Sequence, residues 1–409
     1  MTIRGLSLAA TLGAAVVLAA CNDDALTPPP VPAYTGGALF QRYVSMGNSI
    51  TSGFQSGGIT DTTQLQAYPV LMAQKMGGDN FYVPLLKYPG CPPPFTNVFT
   101  QARLGGATAT TCLFRDAAST RIPYVSNVAV PGAEAIDITV NGPAAGTHSN
   151  ALTQLFLGGH TQVQAMAAIH PTFVSVWIGN NDVLGALTAL PQAGDSTLVT
   201  SIATFQTQYQ QIVDGIKAAG AKAILIGVAN VTEIPYTSTG TTYYAIKAGL
   251  VPGAAFPPTF GVGANCAPNG LGGSGDSVLV PFPFGAALVG AAAAGASDTL
   301  YCTEPSTVQP AELRKLATAV AGYNAFISSA ATANGWAYFD PNPTLDSLRA
   351  IPTQVAAFPN LAATSCTPSP FGLAFSCDGV HPSAATHLLI AKHLVQAINA
   401  KYGSAIPSP

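Results

Sequence analysis

Short runs of β-branched and apolar residues alternate along this chain with stretches whose apolar residues recur every three or four positions. That alternation, more than any single motif, restricts what the chain can fold into. The runs Tyr43–Met46, Tyr124–Val130, Thr172–Ile178, Lys222–Asn230 and Trp336–Asp340 read as buried strands. Between and after them, residues 67–76, 161–169, 197–219, 310–333 and 383–401 read as helices. The clearest is the third, where Leu198, Ile202, Phe205, Tyr209, Ile212, Val213 and Ile216 form one apolar stripe ahead of Gly220. Strands that alternate with helices need crossover connections, and crossovers produce a parallel sheet covered on both faces. The expectation is an α/β fold, a three-layer α/β/α sandwich of flavodoxin-like type with a mostly parallel sheet of about five strands.

Three stretches interrupt this order, near residues 79–122, 231–307 and 349–377. In the longest, Gly, Pro and apolar residues such as Pro281-Phe282-Pro283-Phe284 and Ala291–Ala294 give no strand or helix period. Insertions of this length in a compact domain are often lids or binding loops. A cap over the strand ends and a surface excursion are both open readings. There is no internal repeat, and residues 38–409 read as one domain with insertions.

The N-terminus reads as a targeting segment. Arg4 precedes an apolar run, Leu6–Ala20, that is too short for a standard membrane span and ends in small residues. Leu18-Ala19-Ala20-Cys21 then resembles the lipobox of bacterial lipoproteins, which implies that residues 1–20 are removed and that Cys21 is lipidated. A plain signal peptide cut nearby is the alternative. Residues 21–37, with Pro28-Pro29-Pro30 and Pro32, have the composition of a semi-rigid tether. The expected location is the bacterial cell envelope, lipid-anchored on the periplasmic or cell-surface face. Only 8% of residues are charged and the net charge is −3, so no basic field for nucleic acid exists, and a weakly charged, loop-rich surface suits an extracytoplasmic protein.

Setting Cys21 aside leaves six cysteines, an even number in a compartment that permits disulfides. Pairing neighbours within each loop-rich stretch gives Cys91–Cys112, Cys266–Cys302 and Cys366–Cys377 as the expected bridges. No pair has zinc-finger spacing and no His-Glu-x-x-His is present, so no metal site is signalled.

The chemistry-bearing residues fall at strand ends and loops. Gly47-Asn48-Ser49-Ile50 turns the chain at the end of the first strand and leaves the Ser49 hydroxyl beyond its carboxyl end, where open α/β sheets bind ligands. Gly132 follows the second run, and Gly179-Asn180-Asn181-Asp182 the third. Asp378-Gly379-Val380-His381-Pro382 precedes the last helix; an Asp and a His three residues apart on one tight loop can meet, leaving the second ring nitrogen for a serine. The serine setting is not the Gly-x-Ser-x-Gly elbow of the larger lipase scaffold.

These four blocks, in this order, resemble those of the SGNH, or GDSL, hydrolases, over roughly residues 43–400. The resemblance implies Ser49 as nucleophile, Gly132 and Asn181 with the Ser49 N–H as oxyanion-hole donors, and His381 with Asp378 as base and orienting acid. Asn48 departs from the family's usual aspartate, but asparagine makes similar turn hydrogen bonds. A serine esterase or lipase follows, needing no cofactor, acting on lipid-like or short acyl esters. A carbohydrate O-acetyl esterase, or a surface lipoprotein with a catalytically inert site, are the alternatives.

Overall fold

A computed structural model describes residues 37–113, 122–142 and 147–409. Four parallel strands form its central sheet: β1 (Tyr43–Gly47), β2 (Phe173–Trp177), β3 (Lys222–Ile226) and β4 (Ala337–Phe339), lying side by side in that order. β1 and β2 are buried at every position, as strands covered on both faces must be. Helices Tyr68–Met76 and Ala384–Tyr402 pack against each other, and Gln162–Ala168, Ile202–Ala218 and Pro310–Ala333 form a second packed group; both groups cover the sheet. The α/β/α sandwich is the architecture that the alternation predicts.

The expected fifth strand, Tyr124–Val130, is reduced to an edge segment. It runs parallel beside β1, with Ser45 N–H donating to Ser126 O at 2.9 Å and Val128 N–H to Ser45 O at 3.0 Å, but only Ser45 and Asn127 form a regular bridge. The next rung is only half made: Val130 N–H donates to Gly47 O at 3.2 Å, but the Gly47 N–H goes to Gln162 Oε1 at 2.9 Å instead of to this segment. Counting this segment second in sequence, the spatial order is 2-1-3-4-5, so the topological switch point lies between β1 and β2.

Helix limits follow local chemistry. The helix expected over 197–219 spans Ile202–Ala218, because Ser201 caps it by accepting the Thr204 N–H, and residues 196–198 form a separate single turn. The stretch 231–307 is far more ordered than its composition suggests. It holds helices Gly240–Lys247 and Phe282–Ala293 and two small two-stranded sheets, one pairing Thr237–Thr239 with Leu279–Pro281 and the other Phe260–Val262 with Asp298–Leu300. The Ala-rich run is helical since alanine has the best helix propensity, and Pro281 and Pro283 sit at its start, where proline is tolerated. Disulfides join Cys91 to Cys112, Cys266 to Cys302 and Cys366 to Cys377. Cys21 and the tether lie outside the described residues.

Candidate active site

Ser49 opens a one-turn helix, Ser49–Ser52, directly after β1. Gly47 makes the turn: its φ is +156°, and a Cβ there would collide with the Thr51 side chain and the Trp177 carbonyl. Gln162, fully buried on its helix, accepts the Gly47 N–H through Oε1 and donates to the Gly47 carbonyl through Nε2, both at 2.9 Å. Asn48 caps the turn, its Oδ1 accepting the Ile50 N–H at 3.1 Å. Ser49 is thereby held at the strand end, 8% exposed.

His381 reaches Ser49 from the other end of the sequence. Its Nε2 lies 2.8 Å from Ser49 Oγ and its Nδ1 2.9 Å from Asp378 Oδ2. The Phe54 ring, centred 4.9 Å from the imidazole, flanks it. Asp378 is the most heavily bonded group of the site. Oδ1 accepts from the N–H groups of Val380 and His381, both at 2.9 Å, and from Ser376 Oγ–H at 3.1 Å, while Oδ2 also accepts from Gly57 N–H at 2.6 Å. Burial alone would raise its pKa; the adjacent His381 and the N–H donors outweigh burial and bring it down to about 2. The loop is tied to the loop that follows Ser49 twice more, through Ser56 N–H to Ser376 Oγ at 2.8 Å and Cys377 N–H to Ser56 Oγ at 3.1 Å.

Asn181 begins the helix Asn181–Thr188 after β2, across the switch point from Ser49. Its Nδ2 donates to Ala133 O at 2.8 Å, which leaves one amide hydrogen free to point elsewhere, and the next residue, buried Asp182, accepts the Ala135 N–H at 3.0 Å. Together they hold the loop that carries Gly132. Among the described residues no protein group accepts the N–H of Gly132 or of Ser49.

Two cavities meet at Asn181 and Leu184. One, of about 40 Å³, is a partly open pocket lined by Ser49, His381 and apolar side chains, among them Ile50, Val231 and Ile234. The other, of about 490 Å³, is an open cleft bordered by Gly132, Glu134, His148 and three threonines. A third cavity of about 650 Å³ lies where all three insertions converge; Phe95, Phe282 and Phe358 line it and Asp378 borders it. The insertion 231–307 touches the site directly, its Tyr236 N–H donating to Gly379 O at 2.9 Å.

The structure therefore brings Ser49, His381 and Asp378 into one hydrogen-bonded chain and sets Asn181 beside Ser49 on one cavity and beside Gly132 on another. Sequence reasoning gave no role to Gln162, Asn150 or Gly57. Nothing in their spacing marks them, since each acts on a group distant in sequence: Gln162 and Asn150 on the backbone of Gly47 and Pro131, Gly57 on the Asp378 carboxylate. Asp182 lies in a quoted motif, but only the fold shows what it holds. Three carboxyls cluster here, Glu134 on the border of the cleft and Asp137 and Asp182 behind it. Burial, then the charges of Asp182 and Asp137, push Glu134 up to about 8; burial pushes Asp182 up to about 6 against the pull of the Ala135 N–H; and burial also raises Asp137.

Among solved structures the chain is similar to an acetylxylan esterase of Geobacillus stearothermophilus, studied as a catalytic mutant, at 12% identity and a TM-score of 0.37, covering 88% of this chain and 94% of that one. It is also similar to an extracellular lipase of Streptomyces rimosus, at 15% identity and a TM-score of 0.36, covering 87% of this chain and 98% of that one. No curated protein matches. The family model described as GDSL-like Lipase/Acylhydrolase matches residues 43–394, from the first residue of β1 into the last helix. That match takes in every motif from Gly47 to His381, and the chain belongs to the GDSL, or SGNH, family of hydrolases acting on ester bonds.

Proposed function

We propose that the chain is a serine esterase that cleaves carboxylic esters of short acyl groups through an acyl-enzyme. The observation that carries this reading is the 2.8 Å approach of His381 Nε2 to Ser49 Oγ with Nδ1 held by Asp378. His381 takes the Ser49 proton as Oγ attacks the ester carbonyl; Asp378, ionised, fixes the ring and stabilises the imidazolium without accepting its proton. The developing oxyanion receives hydrogen bonds from the N–H groups of Ser49 and Gly132 and from the second Asn181 amide hydrogen. His381 then gives its proton to the departing alcohol, and a water molecule activated by the same ring releases the acid.

Acyl size is read from the smaller pocket. A space of about 40 Å³ beside Ser49 suits a group of a few carbons, and its apolar lining disfavours a charged one. The open cleft past Asn181, where three threonines, His148 and Glu134 stand among Leu184, Leu198 and Val199, suits an alcohol portion that carries both polar and apolar groups. A second reading, an ester of a long acyl chain, is favoured by the phenylalanine-lined cavity of about 650 Å³ bordering Asp378.

Hydrolysis of p-nitrophenyl esters of increasing chain length, together with fluorophosphonate labelling, tests both. The proposal expects label on Ser49 and kcat/KM falling beyond about four carbons. A rise toward long chains transfers the assignment to the lipid reading. Failure of Ser49 to label leaves a binding protein with an inert site.

For location, we propose that Cys21 carries a lipid, on the strength of the Leu18-Ala19-Ala20-Cys21 tetrapeptide. Cys21→Ala is expected to release the protein to the soluble fraction or to leave it unprocessed; a membrane-bound variant of normal mature size refutes this.

A further inference from the structure

We infer that Asn150 is a positioning residue of the oxyanion hole, its side-chain amide holding the Pro131–Gly132 peptide so that the Gly132 N–H faces the reacting carbonyl. The inference rests on the reading of Gly132 as an oxyanion donor.

Gly132 has φ +86°, and with no side chain it can take either sign of φ at little cost. The peptide that precedes it is the centre of a turn closed by Ala133 N–H to Val130 O at 3.2 Å, and it can flip between type II and type I by a coupled change of Pro131 ψ and Gly132 φ. In a trans peptide the C=O and N–H point in opposite directions, so a flip replaces the donor at the active site with a carbonyl oxygen. The Pro-Gly sequence itself favours the observed type II orientation, and a contact from outside the turn holds it further.

Asn150 supplies that contact. Its Nδ2 donates to Pro131 O at 2.9 Å, which fixes the carbonyl on the Asn150 side and the N–H on the opposite side. The amide lies directly against the glycine, since a Cβ built there would be 3.5 Å from Asn150 Nδ2. Its own orientation is fixed by helix capping. Asn150 is the N-cap of the helix Ala151–Leu157, where Oδ1 accepts the N–H groups of Leu152 at 2.9 Å and Thr153 at 3.3 Å, and Thr153 Oγ1 accepts the Asn150 N–H at 3.0 Å. Rotating the amide would put its NH₂ against two backbone donors, so Nδ2 has only the Pro131 side left. From the far side, Asn181 and Asp182 hold Ala133 and Ala135. The loop is pinned on both flanks of Gly132, and the Asn150 contact is the side-chain bond that reinforces the turn's own preference for the direction of its N–H.

Asn150→Asp separates this role from capping. Aspartate caps a helix as well as asparagine does, but it has no hydrogen to donate and turns a carboxylate oxygen toward Pro131 O. The expected result on p-nitrophenyl acetate is a kcat lowered roughly tenfold or more with KM within about twofold, and a melting temperature that falls less than that of Asn150→Ala, since the cap is kept. Asn150→Ala should lose kcat to a similar extent while also melting lower, because only it loses the cap. A kcat for Asn150→Asp within about twofold of the parent overturns the inference, as does an effect on KM alone, or kcat losses that follow melting temperature across the two variants. Ser49→Ala and fluorophosphonate labelling run in parallel keep the two failures apart. Ser49-dependent turnover with an unaffected Asn150→Asp removes only the Asn150 role, whereas activity surviving Ser49→Ala removes the esterase reading and this inference with it.

Discussion

The Gly57 N–H donates to Asp378 Oδ2 at 2.6 Å, the same oxygen that faces His381 Nδ1 at 2.9 Å, so the loop following Ser49 holds the carboxylate that meets the His381 ring. Both Asp378 oxygens are acceptors from backbone N–H groups. An asparagine there must aim its NH₂ at a buried donor whichever way it turns. Asp378→Asn is therefore predicted to lower kcat by about 10³–10⁴ and also to cost about 1–3 kcal/mol of stability, read by thermal melting. A folded variant as stable as the parent would show that the carboxylate's backbone contacts matter little. With a pKa of about 2, below the ordinary carboxylate range, Asp378 stabilises the fold fully above about pH 4, and this contribution disappears as pH falls toward 2.

Ser49 and His381 should behave as one unit. Each single alanine variant is predicted to lose roughly 10⁵–10⁶ in kcat, and the double variant scarcely more, because a proton acceptor without its nucleophile contributes nothing. Multiplicative losses would mean that the 2.8 Å contact is structural rather than catalytic.

Asn181→Ala should reduce kcat by about 10²–10³ with little change in KM, since its free amide hydrogen bonds the developing charge more strongly than the ground-state carbonyl. Its other hydrogen holds Ala133 O, so the loss should exceed that of Asn150→Asp, which leaves the Asn181 donor in place. A larger effect in Asn150→Asp would reverse the ranking of the two donors.

What was legible in the sequence was whatever acts locally. Ser49 at a strand end, Asp378 three residues before His381, and the stripe from Ile202 to Ile216 each follow from short spacing, and the structure places them accordingly. Contacts made over long separations left no such trace. Gln162 acts on Gly47, Asn150 on Pro131 and Gly57 on Asp378, and each is a polar residue or glycine with an ordinary local role as cap, turn or helix face. The insertion 231–307 failed for another reason. Its order comes from small sheets and a disulfide that pair distant residues, such as Thr237 with Pro281, and an all-apolar helix such as Phe282–Ala293 has no polar face to give it a period.

Asn48 offers a direct test of the turn. Its Oδ1 caps Ile50, while its buried Nδ2 has no partner among the described residues. Asn48→Asp keeps the acceptor and removes an unsatisfied donor, so it should retain activity within a few-fold; Asn48→Ala should lose about 1 kcal/mol and a larger share of kcat. Equal activity in both variants would make the cap irrelevant to Ser49.

The cleft carboxyls set the last prediction. Glu134 is raised to about 8 by burial and by the charges of Asp182 and Asp137, with His148 Nδ1 3.6 Å from its Oε2 and 3.5 Å from Asp137 Oδ2 on the open side. Between its ordinary value and about 8 the folded state keeps a proton that the unfolded chain gives up. Its contribution to stability is therefore complete below about pH 4.5 and is lost as pH rises through 8. Asp182, raised to about 6, acts with the same sign over a lower window. Glu134→Gln is neutral throughout, so its melting temperature should fall less than the parent's between pH 5 and 9, the two curves diverging most above pH 7, with the residual slope below pH 6 left to Asp182. Thermal melts of both proteins in buffers of equal ionic strength measure this, and parallel curves would place the Glu134 carboxyl in the ordinary range, fully ionised at the mouth of the cleft.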